Sequence, residues 1–172
     1  SPSPSASPTP TPFFPVQLGN ISTRLSVGTN DSVLIGGFMV TGTQPKKVIL
    51  RAIGPSLPVA GVLSDPFLEL HDATGATIAS NDKWQESPNK QAIIDAGIPP
   101  TNDSESAILI TLNPGAYTAI VRGANGGTGV GLVEAYDLDL STDSKLANIS
   151  TRGFVQTGDN VLIGGLIVLG DT

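Results

Sequence analysis

From residue 17 onward, short apolar runs alternate with polar positions and are cut every few residues by Gly, Asn, Asp or Pro. That is the rhythm of strands and tight turns. Alternation is cleanest in Phe67-Leu68-Glu69-Leu70-His71 and in Ala116-Tyr117-Thr118-Ala119-Ile120-Val121-Arg122, where one face of each strand should be packed and the other wet. The pattern predicts strands near residues 21–27, 32–40, 47–53, 67–71, 77–80, 106–112, 116–122 and 129–137. One short helix is expected, capped by Ser87, with Pro88 at its first position and Gly97 as its terminator. The expected class is all-β: an antiparallel β-sandwich, jelly-roll-like, with one short helix over an open end.

The same pattern returns near the end of the chain. Leu18, Asn20-Ile21-Ser22-Thr23-Arg24 and Val33-Leu34-Ile35-Gly36-Gly37 recur as Leu146, Asn148-Ile149-Ser150-Thr151-Arg152 and Val161-Leu162-Ile163-Gly164-Gly165. The offset is a constant 128 residues, and about 16 of the 26 aligned positions are identical. A period this long exceeds that of solenoid repeats, so each repeat is a whole domain. The division is then a stalk or linker at 1–16, a β-sandwich domain at 17–143, and the first strands of a second copy at 144–172. Gly36-Gly37 and Gly164-Gly165 mark a bulge or a close backbone approach; a phosphate cradle would need a strand-to-helix context that is missing.

Two strands cannot form a core alone. Three readings of 144–172 stand: the start of a further domain, a strand pair donated to a neighbouring subunit, or an addition to the sheet of its own domain. In the second, Ile149, Val161, Leu162, Ile163, Leu166, Ile167 and Val168 form the assembly interface, and head-to-tail donation builds a fibre.

Composition narrows the function. Residues 1–15 carry proline at nearly every second position, which gives a semi-rigid polyproline stalk. The net charge is −6 without a basic stripe, so nucleic acid is not an expected partner. No apolar run is long enough to insert into a membrane as a helix. Cysteine is absent, which removes disulfides, thiolate metal sites and thiol nucleophiles.

The Asn-Ile-Ser-Thr-Arg and Val-Leu-Ile-Gly-Gly segments, with Lys47-Val48-Ile49-Leu50-Arg51-Ala52-Ile53-Gly54-Pro55-Ser56-Leu57 and Gly131-Leu132-Val133-Glu134-Ala135-Tyr136-Asp137, resemble a tandem β-module of large bacterial secreted and surface proteins. The resemblance covers about residues 18–140 plus the partial second copy. It implies an extracellular or cell-surface, bacterial setting and no reaction. More loosely, Leu68-Glu69-Leu70, Ser80-Asn81-Asp82 and Pro114-Gly115-Ala116-Tyr117 are similar to the jelly-roll domains appended to secreted bacterial peptidases, and no functional residue is carried over. In architecture alone, the plan is similar to hot-spring and pilus-like fibres built by strand exchange.

Candidate chemistry is thin. His71 is the only histidine, and with no nucleophile elbow it is read as a strand-end residue beside a turn aspartate; no enzyme is expected. Asp72, Asn81 and Asp82 offer hard oxygen ligands for calcium, against the alternative that each bonds its own turn backbone. No other cofactor is implied. Trp84 is the one candidate for ligand contact, in a sugar-binding loop or as a ring packed over that loop. The function expected is thus a structural subunit of an extracellular fibre or tandem array whose partners are copies of itself or the adjacent repeat. The alternative is a carbohydrate-binding or adhesion module with glycan partners.

Overall fold

The computed structural model describes residues 15–170; the expected stalk lies outside the described residues as far as residue 14. Ten strands follow in order: β1 (Gln17–Val27), β2 (Leu34–Thr41), β3 (Lys46–Ile53), β4 (Pro66–His71), β5 (Thr77–Asn81), β6 (Ser106–Leu112), β7 (Gly115–Gly123), β8 (Gly129–Asp137), β9 (Lys145–Arg152) and β10 (Ile163–Leu169). All eight strands expected in the first copy are present, and the half-repeat supplies the last two. The one α-helix among the described residues, α1 (Lys90–Asp95), starts later than Pro88 because residues 87–89 form a turn that returns the Lys90 N–H to the Ser87 carbonyl. Gly97 ends it as expected, at φ +77°, where a side chain would be strained.

The strands form one antiparallel sheet in the order β5-β4-β7-β2-β9-β1-β8-β3-β6, with β10 added against β1. Its two ends come together. Ala107 N–H on β6 donates to Asn81 Oδ1 at 2.9 Å, and the Ser106 hydroxyl lies 2.5 Å from the Pro66 carbonyl and 2.6 Å from that of Asp82. The result is a sheet rolled nearly into a barrel, whose edges are tied by side chains where a main-chain ladder is missing.

Alternation sends one face of each strand inward. In β4, Leu68 and Leu70 are buried while Glu69 and His71 stand half-exposed, as their period of two requires. Leu25, Leu34, Phe38, Val48, Leu50, Leu68, Leu70 and Val121 fill the interior. A second, smaller cluster lies on the outside, where Ile49 and Ala107 are covered by Trp84 and by Ile93 of α1.

The charged side chains of Lys46, Asp137 and Glu105 are fully buried and answered by specific partners. Lys46 Nζ lies 2.9 Å from Asp137 Oδ2 and donates to the Asp139 carbonyl. The Glu105 carboxylate accepts from Gly54 N–H, Ser56 N–H, the Ser56 hydroxyl and Asn102 N–H, which fastens the loop after β3 to the loop before β6. Removing one partner from either set would strand a polar group away from water.

Candidate functional site

The half-repeat occupies the sheet of its own domain. β9 runs antiparallel to β2, and β10 runs antiparallel to β1, so each strand of the second copy pairs with the opposite member of the first. The two pairings share one register. Arg24 faces Ile163 as Arg152 faces Ile35; Thr23 faces Gly164 as Thr151 faces Gly36; Leu18 faces Val168 as Leu146 faces Val40. Subtracting the repeat offset from the second-copy numbers converts one ladder into the other except at a one-residue slip, where Ile167 faces Asn20 but Met39 faces Ala147.

Along the seam, equivalent residues also meet each other. Leu18 pairs with Leu146, the Thr23 and Thr151 hydroxyls touch at 2.7 Å, and Lys145 Nζ donates to Gln17 Oε1 at 3.1 Å. Contact between a residue and its own counterpart, combined with reciprocal pairing, is the signature of a two-fold relation. A simple translation along an array would bring unlike positions together instead.

The glycine pairs serve close approach, and one of them also sits beside a bulge. A Cβ on Gly165 would lie 2.7 Å from Ser22 Oγ, and one on Gly37 would collide with Ser150 Oγ, the equivalent contact. Gly36 is pressed against Val133, where a Cβ would stand 2.9 Å from its Cγ1. The ladder between β2 and β9 slips by one residue just past Gly37. A cavity of about 20 Å3 remains at the seam beside Ile149, which is room for one water and no ligand.

The seven residues expected at an assembly interface divide in two. Ile149 and Leu162 are half-buried and pack against the barrel interior. Val161, Ile163, Leu166, Ile167 and Val168 remain exposed. The contrast with the first copy is direct, since Phe38 is 3% exposed and Leu166, its counterpart, 59%. Positions that are core in one copy are surface in the other.

The candidate chemistry lies elsewhere and does not converge. His71 sits at the end of β4 with Nδ1 3.1 Å from the Gly75 carbonyl and Nε2 4.0 Å from Glu69 Oε2. Asp72 accepts from Thr74 N–H, the Thr74 hydroxyl and Ala76 N–H, and the Thr74 hydroxyl chiefly holds its carboxyl below the usual range. Asn81 spends its amide on Ala107 N–H and the Lys83 carbonyl. Asp82 pairs with Lys83 at 3.1 Å, which raises the lysine above its ordinary value. Among the described residues, no three His, Asp or Glu side chains gather as a metal site.

Trp84 is only 8% exposed, and its indole N–H donates to the Asn102 carbonyl at 3.1 Å, so its ring offers no open platform to a sugar. Sequence reasoning missed Lys46 and Glu105, whose burial depends on long-range packing. No protein-family model matches the chain, and comparison with curated proteins finds no match.

Proposed function

We propose that this chain is a structural module of an extracellular tandem β-domain array, a β-sandwich-class unit of the bacterial secreted and surface type that its repeat resembles. Neighbouring copies are joined by main-chain pairing of their first two strands. One observation carries the reading: the second-copy strands join the first copy through two ladders that share their register on either side of a one-residue slip. The joint is a main-chain one. Its strength comes from ladder hydrogen bonds and buried aliphatic side chains, which suit a load-bearing connector.

The exposed Leu166 and Val168 make the test direct. Size-exclusion chromatography and negative-stain microscopy of the whole chain at rising concentration should show self-association. Leu166→Glu with Val168→Glu should abolish it while circular dichroism stays the same. A chain that remains monomeric at every concentration and is retained on insoluble polysaccharide would replace this reading with the adhesion one.

A further inference from the structure

The geometry points to a closed, two-fold pair of modules as the unit of such an array. A second body, equivalent to residues 46–137, seats on β10 over the exposed Leu166 and Val168. The inference rests on the array reading and specifies how its joints are built.

Each strand has two edges, and this limits what the joint can become. In the first copy, β1 uses one edge for β8 and the other for β10; β2 uses one edge for β7 and the other for β9. A complete second copy would place its own β8 equivalent on β9 and its own β7 equivalent on β10. Both first strands of both copies would then be saturated. Strand pairing through this joint therefore ends at two modules and cannot run on into a third, unlike head-to-tail donation.

The occupant of the exposed face follows from the repeat. Leu34, Phe38 and Val40 point into the barrel and are covered by their own body. Leu162, Leu166 and Val168 are their counterparts, and Leu166 and Val168 stand in solvent. The apolar residues needed to receive a β3–β8 body are present in the right alternation, and they continue directly from a joint already formed.

One difference between the copies marks the pair as matched rather than self-paired. Leu25 corresponds to Gly153, and the two touch, with no room for a Cβ at 153 against the Leu25 side chain. Two first-type copies related by the same two-fold would set leucine against leucine at this point. The glycine selects the unlike partner.

The experiment uses the chain extended after Thr172 by a second copy of residues 45–144, which continues the repeat in phase. The absence of native cysteine gives a clean background for cross-linking. In the first copy, Met39 lies opposite Ala116 on the outer face, so Ile167→Cys combined with Ala116→Cys in the appended copy tests seating of the second body. Thr23→Cys with Thr151→Cys tests the two-fold seam. The expected result is a monomer in which both pairs close within one chain, with less hydrophobic-dye binding than the 172-residue chain.

Closure of the outer pair with loss of the seam pair would describe two independent modules and overturn the inference. So would closure of the outer pair between chains in growing oligomers, which is head-to-tail donation. Both outcomes leave the array reading standing; retention of a monomer on polysaccharide would sink that reading instead. Should the extended chain fail to fold, the seam pair in the 172-residue chain still decides, because a disulfide that forms only between chains is incompatible with the two-fold joint.

Discussion

Gly153 lies against Leu25, the residue whose place it takes one repeat later, and the leucine side chain fills the space that a Cβ at 153 would need. Gly153→Leu should therefore overpack the seam and cost about 1–3 kcal/mol. Leu25→Ala should recover part of that loss in the double variant while being destabilising alone. A double-mutant cycle from urea denaturation midpoints checks the coupling. Additive effects would mean that the two positions do not meet.

The second prediction concerns the buried ion pair. Lys46→Met leaves Asp137 and the Asp139 carbonyl without their cation, and should cost about 3–5 kcal/mol. Lys46→Met with Asp137→Leu removes both charges, and should be more stable than the single variant. Lys47, one residue on and exposed, serves as a control, where Lys47→Met should stay within about 0.5 kcal/mol.

Those adjacent lysines show what was legible in the sequence. Strand positions and the outward alternation of β4 followed from local period-two patterning, and the half-repeat announced two further strands. Burial of Lys46 did not follow, because it depends on Asp137 arriving from β8 across the sheet. Trp84 opens a 3₁₀ turn (Trp84–Glu86) and is buried with Ile93 of α1 against Ile49 of β3 and Ala107 of β6, which no short-range pattern encodes. Reciprocal pairing was illegible for a subtler reason. The copies are so alike that β1 is equally suited by pattern to either version of its partner strand, and only the three-dimensional path selects between them. Closure of the sheet into a near-barrel likewise depends on contacts such as Ala107 with Asn81 that are remote in the chain.

Glu105 supplies the third prediction. Its carboxylate organises four donors from residues 54, 56 and 102, and Glu105→Ala would leave the buried Gly54 N–H without its partner. The expected loss is about 3 kcal/mol or more, given that hydrogen bonds to charged groups contribute about 1.5–3 kcal/mol each and are not additive. Hydrogen exchange should accelerate at Gly54 and Ser56 well before the strands open.

The fourth prediction is a pH dependence. Asp143 Oδ2 accepts from the Thr43 hydroxyl at 2.7 Å and from Thr43 N–H at 3.2 Å, clasping the loop after β2 to the loop before β9. The Thr43 hydroxyl is the main cause that lowers the Asp143 carboxyl below its ordinary 3.8. A depressed folded-state value means that the clasp contributes above the unfolded value and is lost as pH falls through the folded one. Stability should therefore decline as pH falls below about 4, with a shallower slope in Asp143→Asn. Denaturation midpoints between about pH 5 and pH 2 measure the difference.

Phe38 and Leu166 occupy the same repeat position in opposite surroundings, and this gives the fifth prediction. Phe38 stacks on Tyr117 with ring centroids 5.7 Å apart and lies in the barrel interior. Phe38→Ala should cost about 3–5 kcal/mol, the range for emptying an aromatic site in a core. Leu166→Ala in the 172-residue chain should cost less than about 1 kcal/mol, because most of that side chain is already in water. In the extended chain with its second body seated, Leu166→Ala should rise toward the about 2–5 kcal/mol of a core leucine. A cost that stays small there would show that the second body had not covered β10, and that core-type residues face solvent in the completed pair.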